Sequence, residues 1–545
     1  MQPIRKLFCI LLSALMRMSA LSGCAEEAEE EEQDRFLVRA AVCGAVENFD
    51  PAANTDVRAE AIFYALYENL LRTDFDAEGG VTVSPGIAKE YEEVQNYDGT
   101  VDYVFTLRST ARWSDGTRVK AKDFVFAWKR LADPAFDSPN TSLLSMVQGY
   151  DAVRATGDLS KLAVKADGDS VFRVTLSAPC AYFLSDVCTA VATMPLRSDR
   201  VSRGEDWASG SSVLCNGPYQ VSFWSRESYV QLRRNASYYD NRAVVPDLLR
   251  LYFVRDTAEA EVLYARGTVD CAVTRPDRAD AAVYPPLRTV DCVLYNHMSD
   301  VFSNAHIRRA FDLTLDRAAL AAAAGAGMRP ATGFVPDGVT GDGVPFRDEV
   351  DALCAVDEEN YAARCLEAEN ELRLGGYWGG VGFPEVGVIY PTDSDLRGTA
   401  QAAVAAWNEK LHLHVRVEAL EREEYDRRID EGEYDIALGR ITAPYNDAAC
   451  YLAQYAGTDA NNALHYVNKP YDLLIGVAET SRDLAARTAI LHDAEALLLE
   501  DTALSPLTFG SSAYLLRETL TGVRCDARGV PRFTAVTQAE PEENT

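Results

Sequence analysis

The chain has 545 residues, 48% of them hydrophobic and 25% charged, with 83 acidic against 53 basic side chains and a formal net charge of −30. This is ordinary globular composition, and the length argues for roughly two to four domains. A charge of this sign and size repels phosphate backbones, which excludes nucleic acid as a partner.

In chain order, the first segment reads as an export signal. A basic pair (Arg5, Lys6) precedes an apolar run from Leu7 to Met16, and small residues lead to Leu21-Ser22-Gly23-Cys24. That order of parts predicts a secretory signal peptide over 1–23. The apolar run is too short to span a bilayer, which needs about 20 residues. Cys24, placed directly after the cut, resembles the lipobox of bacterial lipoproteins, which implies acylation of its thiol and a lipid tether. Removing 1–23 takes away three bases (Arg5, Lys6, Arg17) and no acid, so −30 becomes −33. Residues 24–35 form an acidic linker in which 25–34, AEEAEEEEQD, carries seven acids and no base. Repulsion at that density predicts a solvated spacer.

Helical and strand periods then alternate without an internal repeat. Ile62, Phe63, Leu66, Tyr67, Leu70 and Leu71 form one stripe and predict a buried helix. Val101, Tyr103, Phe105 and Leu107 alternate with polar residues, the period of a half-exposed strand. Phe172, Val174 and Leu176 repeat the pattern, as do Leu249, Leu251 and Phe253. Thr257 is read as the cap of a helix that ends at Gly267 before a strand over 269–273. A helix around Tyr425 and Ile429 ends likewise at Gly432 before 434–438. Between them, 386–390 and 412–417 flank a helix through 400–407 as a βαβ unit, which predicts α/β layers with a parallel component.

Twelve cysteines occur, of which Cys9 falls in the signal and Cys24 at the lipid site, leaving ten. In an exported protein some of these pair, with Cys180/Cys188 and Cys354/Cys365 nearest in sequence. The alternative is that all remain thiols, packing as small apolar groups. No C-x-x-C or zinc-like spacing exists.

At 111–134, ARWSDGTRVKAKDFVFAWKRLADP, a turn at Ser114-Asp115-Gly116 leads into a helix whose Phe124, Ala127, Trp128 and Leu131 share a face. This segment resembles the extracellular solute-binding proteins of family 5, the oligopeptide-binding class that feeds ABC importers. Lys120 stands where the family usually has a capping threonine, which predicts a frayed helix start. Further matches at 48–74, 83–92, 215–240, 260–273, 304–320 and 445–475 extend the resemblance over residues 36 to about 535. It implies an α/β, bilobal periplasmic-binding-protein-like fold of the class II type with an extra inserted domain. Lobe I would comprise 36–67, 195–290 and 510–545; the inserted domain II, 68–194; and lobe II (domain III), 291–509. Hinge strands are expected near 290 and 509, with the ligand in the cleft between lobes.

The same resemblance implies a set of site residues. In the peptide binders an aspartate just before a Tyr-Asn pair meets the peptide amine. Here Pro444 precedes Tyr445 and Asn446, and proline removes both the carboxylate and a backbone donor. The family's pocket tryptophans correspond to Arg422 and Ile441, its nearby arginine to Leu438, and the base that meets the ligand carboxylate to Arg397. Arg440, two residues beyond Leu438 on the same strand face, is a second anion candidate. Asp447 is a candidate replacement for the missing carboxylate. Asn54, Thr55 and Val57 sit where relatives present backbone to ligand, Asn140 near the cleft, Ala443 beside the Tyr-Asn pair, and Phe509 at the hinge.

The function implied is a non-enzymatic, monomeric lipoprotein without cofactor or metal. It would be anchored to the outer face of the cell membrane, or face the periplasm in a Gram-negative cell, capturing oligopeptides for a membrane permease. The departure at Pro444 leaves open the same fold with a metal chelate, sugar or opine as cargo. Enzyme signatures are absent: no Gly-x-Ser-x-Gly elbow, P-loop or His-Glu-x-x-His occurs. His412 and His414 would share a strand face as a possible metal pair, against the simpler reading of a strand edge. The glycine-rich 375–380 lacks the lysine of a phosphate loop.

Overall fold

The computed structural model describes residues 35–539 except 76–80, 276–277, 279, 282–285, 326, 341–343, 358, 444, 458 and 460–461. The expected signal peptide, Cys24 and Pro444 lie outside the described residues.

Leu37–Cys43 is apolar on both faces apart from Arg39, as a central strand must be. It pairs in parallel with Leu248–Val254, placing Leu37 opposite Leu248 and Cys43 opposite Val254. Cys271–Thr274 and Ala513–Leu516 extend this six-stranded sheet on one side, and Tyr229–Arg234 and Tyr219–Ser225 on the other. A second six-stranded sheet runs in the order Arg329–Pro330, Leu504–Ser511, Pro286–Tyr295, Ile436–Thr442, Val386–Pro391, Val415–Leu420. Val386–Pro391 is parallel to both of its neighbours. The helix Arg397–Lys410 makes the crossover, burying Trp407. A third sheet is antiparallel, with Ala88–Gln95, Val101–Leu107, Val171–Leu176 and Val164–Asp167 in order. Against it packs Ala121–Ala132, whose Trp128 meets Phe172 edge-on at 5.2 Å.

The chain enters the second sheet at Pro286–Tyr295. It returns through Ser512 alone, between Leu504–Ser511 and Ala513–Leu516. The two crossing strands touch so closely that a Cβ on Gly510 would lie 1.7 Å from the Thr289 hydroxyl. Only glycine fits there.

Several local expectations change. The stripe from Ile62 is helical only over Glu60–Leu66; Leu71 opens the strand Leu71–Phe75. The carbonyl of Leu66 accepts from Gly217 N–H, whose close backbone approach ends the helix. Asp256, not Thr257, caps Thr257–Ala265 by accepting from Glu259 N–H at 2.8 Å. The helix start at Ala121 is secured despite Lys120. Asp123 accepts from Lys120 N–H at 2.9 Å, and the Asp169 carbonyl accepts from Ala121 N–H. His412 and His414 precede the strand Val415–Leu420, with His412 at φ 57°, so they do not share a strand face. Among the described residues no cluster of three or more His, Cys, Asp or Glu could hold a metal ion. Nine described cysteines are free thiols, six of them buried.

Candidate ligand-binding cleft

The loop after Leu37–Cys43 is built from short polar side chains that hold their own backbone. Asp50 caps Ala52 N–H at 3.1 Å, and both its oxygens receive Arg130 at 3.1 and 2.6 Å. Asn140 donates to the Asn54 carbonyl at 2.7 Å, fixing Asn54 at a cavity wall. Such locally closed loops present backbone in one conformation.

Two adjacent cavities share part of their lining. The larger, about 920 Å³, is walled by Val81, Val83, Tyr103 and Leu184 on one side and by Thr340, Tyr445, Asn446 and Leu484 on the other. The smaller, about 320 Å³, adds Thr55, Val57, Leu287, Thr289, Thr442 and Ala443. Asn54, Glu60, Asn140, Arg288, Ala527 and Arg528 line both and form the waist between them. The walls also meet directly. Tyr182 stacks on Tyr445 with centroids 4.6 Å apart and planes at 6°. Arg482 donates to the Asp98 carbonyl at 3.3 Å.

The waist is charged and largely buried. Arg288 donates to Asp186 at 2.7 Å, with side chains only 9% and 8% exposed. Arg528 lies 2.8 Å from Glu60 and 3.3 Å from Asp526, which also receives Arg532 at 3.0 Å. Burial pushes the Glu60 carboxyl above its usual range, with Arg528 pulling the other way. Burial opposes the Asp526 charge too, but Arg528, Arg532 and two backbone N–H groups together hold that carboxyl low. A pair stripped of one member here would leave an uncompensated buried charge.

The structure sorts the expected residues. Asn54, Thr55, Val57, Asn140, Ala443, Tyr445 and Asn446 all line one or both cavities. Five others line neither. Arg440 is engaged by Asp291 at 2.7 Å and Asp395 at 2.9 Å. Arg422 opens the helix Arg422–Glu431 and forks onto Asp393 at 2.8 Å. Phe509 is buried in the core of the second sheet, opposite Val290. Asp447 is buried and doubly paired with Arg487 at 2.9 and 3.0 Å, so its carboxylate is already spoken for. Arg397 is exposed at the start of Arg397–Lys410 and also lies outside both linings. The residues that sequence reasoning missed are Glu60, Asp186, Arg288, Asp526 and Arg528. One signal was present: Arg288 and Asp291 place charges within the segment 287–293, LRTVDCV, next to the expected hinge, where an unpaired buried charge is costly.

A profile of the bacterial extracellular solute-binding proteins, family 5 (middle), matches residues 82–463. The chain belongs to this family. Among curated family 5 relatives it is similar to the periplasmic oligopeptide-binding protein OppA of Salmonella typhimurium, 27% identical over 532 residues and 93% of each chain. Among solved family 5 structures, the unliganded open form of the periplasmic murein tripeptide-binding protein MppA superposes with a TM-score of 0.75. It is 22% identical, covering 93% of this chain and 98% of that one. Haemophilus influenzae OppA in complex with the peptide RPPGFSPFR gives 0.67 at 23% identity, covering 93% and 99%. The bilobal family 5 fold is thus the fold of this chain.

Proposed function

We propose that this family 5 member captures short peptides in the cleft and delivers them unchanged to an ABC permease. The observation that carries the reading is the two-chambered cleft, whose opposite walls come from segments far apart in the chain, Val81, Tyr103 and Leu184 on one side and Thr340, Tyr445 and Leu484 on the other. A volume of about 920 Å³ lies within the range of roughly 300–1,000 Å³ typical of small-molecule sites. The peptide-binding relatives support the class of cargo. Export and a lipid tether through Cys24 belong to the same reading, as does a monomer that docks on the membrane importer. Among the described residues no helix is long and apolar enough to cross a membrane.

Binding to the native state raises stability by mass action, by about 2.7 kcal/mol at a ligand concentration 100 times Kd. Thermal melts with peptides of two to five residues should therefore rise in midpoint. Stabilisation by a metal chelate, sugar or opine, with peptides inert, would overturn the peptide assignment. Pro444 favours that second reading, because it removes the carboxylate with which the peptide-binding pattern meets an amine.

A further inference from the structure

Between the helix Glu60–Leu66 and the strand Leu71–Phe75 the chain turns through Glu68, and Asn216 grips that residue's backbone at both polar groups. The Asn216 Oδ1 accepts from Glu68 N–H at 3.2 Å, and its amide donates to the Glu68 carbonyl at 2.9 Å. The side chain so fixed is 7% exposed and lines a third cavity, of about 220 Å³. This cavity shares only Thr73 and Thr189 with the larger chamber of the cleft and no residue with the smaller. Its other walls come from Pro218, Tyr238 and Val244 and from the C-terminal segment between Gly522 and Ala535.

The Glu68 carboxyl is under-compensated where it sits. Oε2 accepts from the Tyr238 hydroxyl. Oε1 has no hydrogen bond or ion pair among the described residues and is not sealed from solvent; of the cavities described, Glu68 lines only this one. Burial pushes the carboxyl above its usual range, with Arg72 pulling the other way. The nearby bases are engaged elsewhere. Arg72 donates to Asp240 at 3.1 Å and Ser84 at 3.3 Å and lies 3.7 Å from Asp74. Arg108 donates to the Gly86 carbonyl at 2.7 Å and stacks on Tyr239. Arg532 is held by Asp526 at 3.0 Å, and Arg524 is exposed. A buried carboxylate without a cation beside it is costly. The same lining carries four aromatic side chains, Tyr64, Tyr67, Phe75 and Tyr238. Aromatic faces attract cations, most strongly when desolvated, and with a carboxylate they recognise organic ammonium ions. The volume falls below the roughly 300–1,000 Å³ of a drug-sized site, which limits an occupant to a small one.

We propose that this cavity is a second solute site, apart from the cleft, which takes a small organic ammonium ion. The charged nitrogen meets Glu68 Oε1, and its carbon substituents lie against the aromatic lining. Because Asn216 fixes the Glu68 backbone and Tyr238 holds Oε2, the carboxylate is positioned before the ion arrives. Occupancy here is independent of the cargo in the cleft.

The test titrates methylammonium, butylammonium and choline chlorides into the native chain by calorimetry, beside their uncharged isosteres and sodium chloride at the same ionic strength. At least one ammonium ion should bind more tightly than its isostere by roughly tenfold or more. Glu68→Gln keeps an acceptor for the Tyr238 hydroxyl and removes the charge, so in this variant ion and isostere should bind equally, with the melting midpoint reporting folding. Absence of binding by all three ions, a heat that sodium chloride reproduces, or a preference that survives in the folded variant overturns the site and leaves the peptide reading of the cleft standing. Should Glu68→Gln not fold, Ala243→Trp decides, since Ala243 is an exposed residue of the same lining. Weakened ammonium binding at an unchanged melting midpoint supports the site, and unchanged affinity overturns it.

Discussion

His297 illustrates what a single buried ring does to the pH dependence of this protein. Its Nε2 lies 3.0 Å from the Ala503 carbonyl, and burial together with nearby Arg308 brings its pKa down from 6.5 to about 4. The folded state therefore holds the ring neutral where the unfolded chain binds a proton. Stability from this residue is fully present above pH 6.5 and is lost as the pH falls toward 4, by at most about 3 kcal/mol. His297→Gln should flatten that part of the acid limb. Urea midpoints measured between pH 4 and 7 check it, and an identical slope in the variant would exclude the ring as the source. The arginines carry a related lesson. Arg440 is an anion candidate and Arg422 a counterpart of a pocket tryptophan by position alone, yet Asp291, Asp395 and Asp393 engage them in the folded chain. Which of 83 acids meets which of 53 bases is not a local property.

Helix Leu484–Glu500 shows how one element positions a cleft wall. Glu495 is fully buried on it and accepts from the N–H groups of Phe334 and Val335 at 2.7 and 2.8 Å while meeting Arg347. It thereby holds the loop that leads to Asp337, Gly338 and Thr340 at the larger chamber. Removing it leaves the Arg347 charge and two N–H groups unanswered. Glu495→Ala should cost roughly 3–5 kcal/mol by chemical denaturation, whereas Glu495→Gln, which keeps an acceptor, should cost less. Equal and small losses would assign the loop's order to packing alone. At this scale period was a good guide: Val101–Leu107 alternates as read, with Val101, Tyr103, Phe105 and Leu107 buried. Ends of elements were not. Leu70 and Leu71 continue a helical stripe in sequence, but Gly217 caps the helix from about 150 positions away.

At the scale of the whole molecule, the contacts that join the two sides of the cleft among the described residues include the Tyr182–Tyr445 stack, the Ser142–Tyr445 hydroxyl contact at 3.4 Å, Arg482 on Asp98, and Arg288 with Asp186. Such an interface favours closure only weakly without cargo, so ligand decides the balance. An offset aromatic pair contributes about 0.5–1.5 kcal/mol beyond its buried area. Tyr182→Ala should therefore weaken peptide binding by roughly two- to tenfold while changing the denaturation midpoint little. Calorimetry alongside urea melts separates the two effects. Unchanged affinity would show that the stack adds nothing to the closed state.

Sequence by itself determined the layered α/β character, because the 2.0 and 3.6 periods of buried residues are written along the chain wherever an element has one wet face. Motif order likewise pointed to the loop at Asn54 and the pair Tyr445-Asn446, which line the cavities, although the partners that fix them there, Asn140, Tyr182 and Thr340, are distant in the chain. Tertiary structure alone decided the charged waist. Glu60, Asp186, Arg288 and Arg528 come from four distant segments, and ion pairs at 2.7–2.8 Å depend on where folded strands cross rather than on any spacing along the chain.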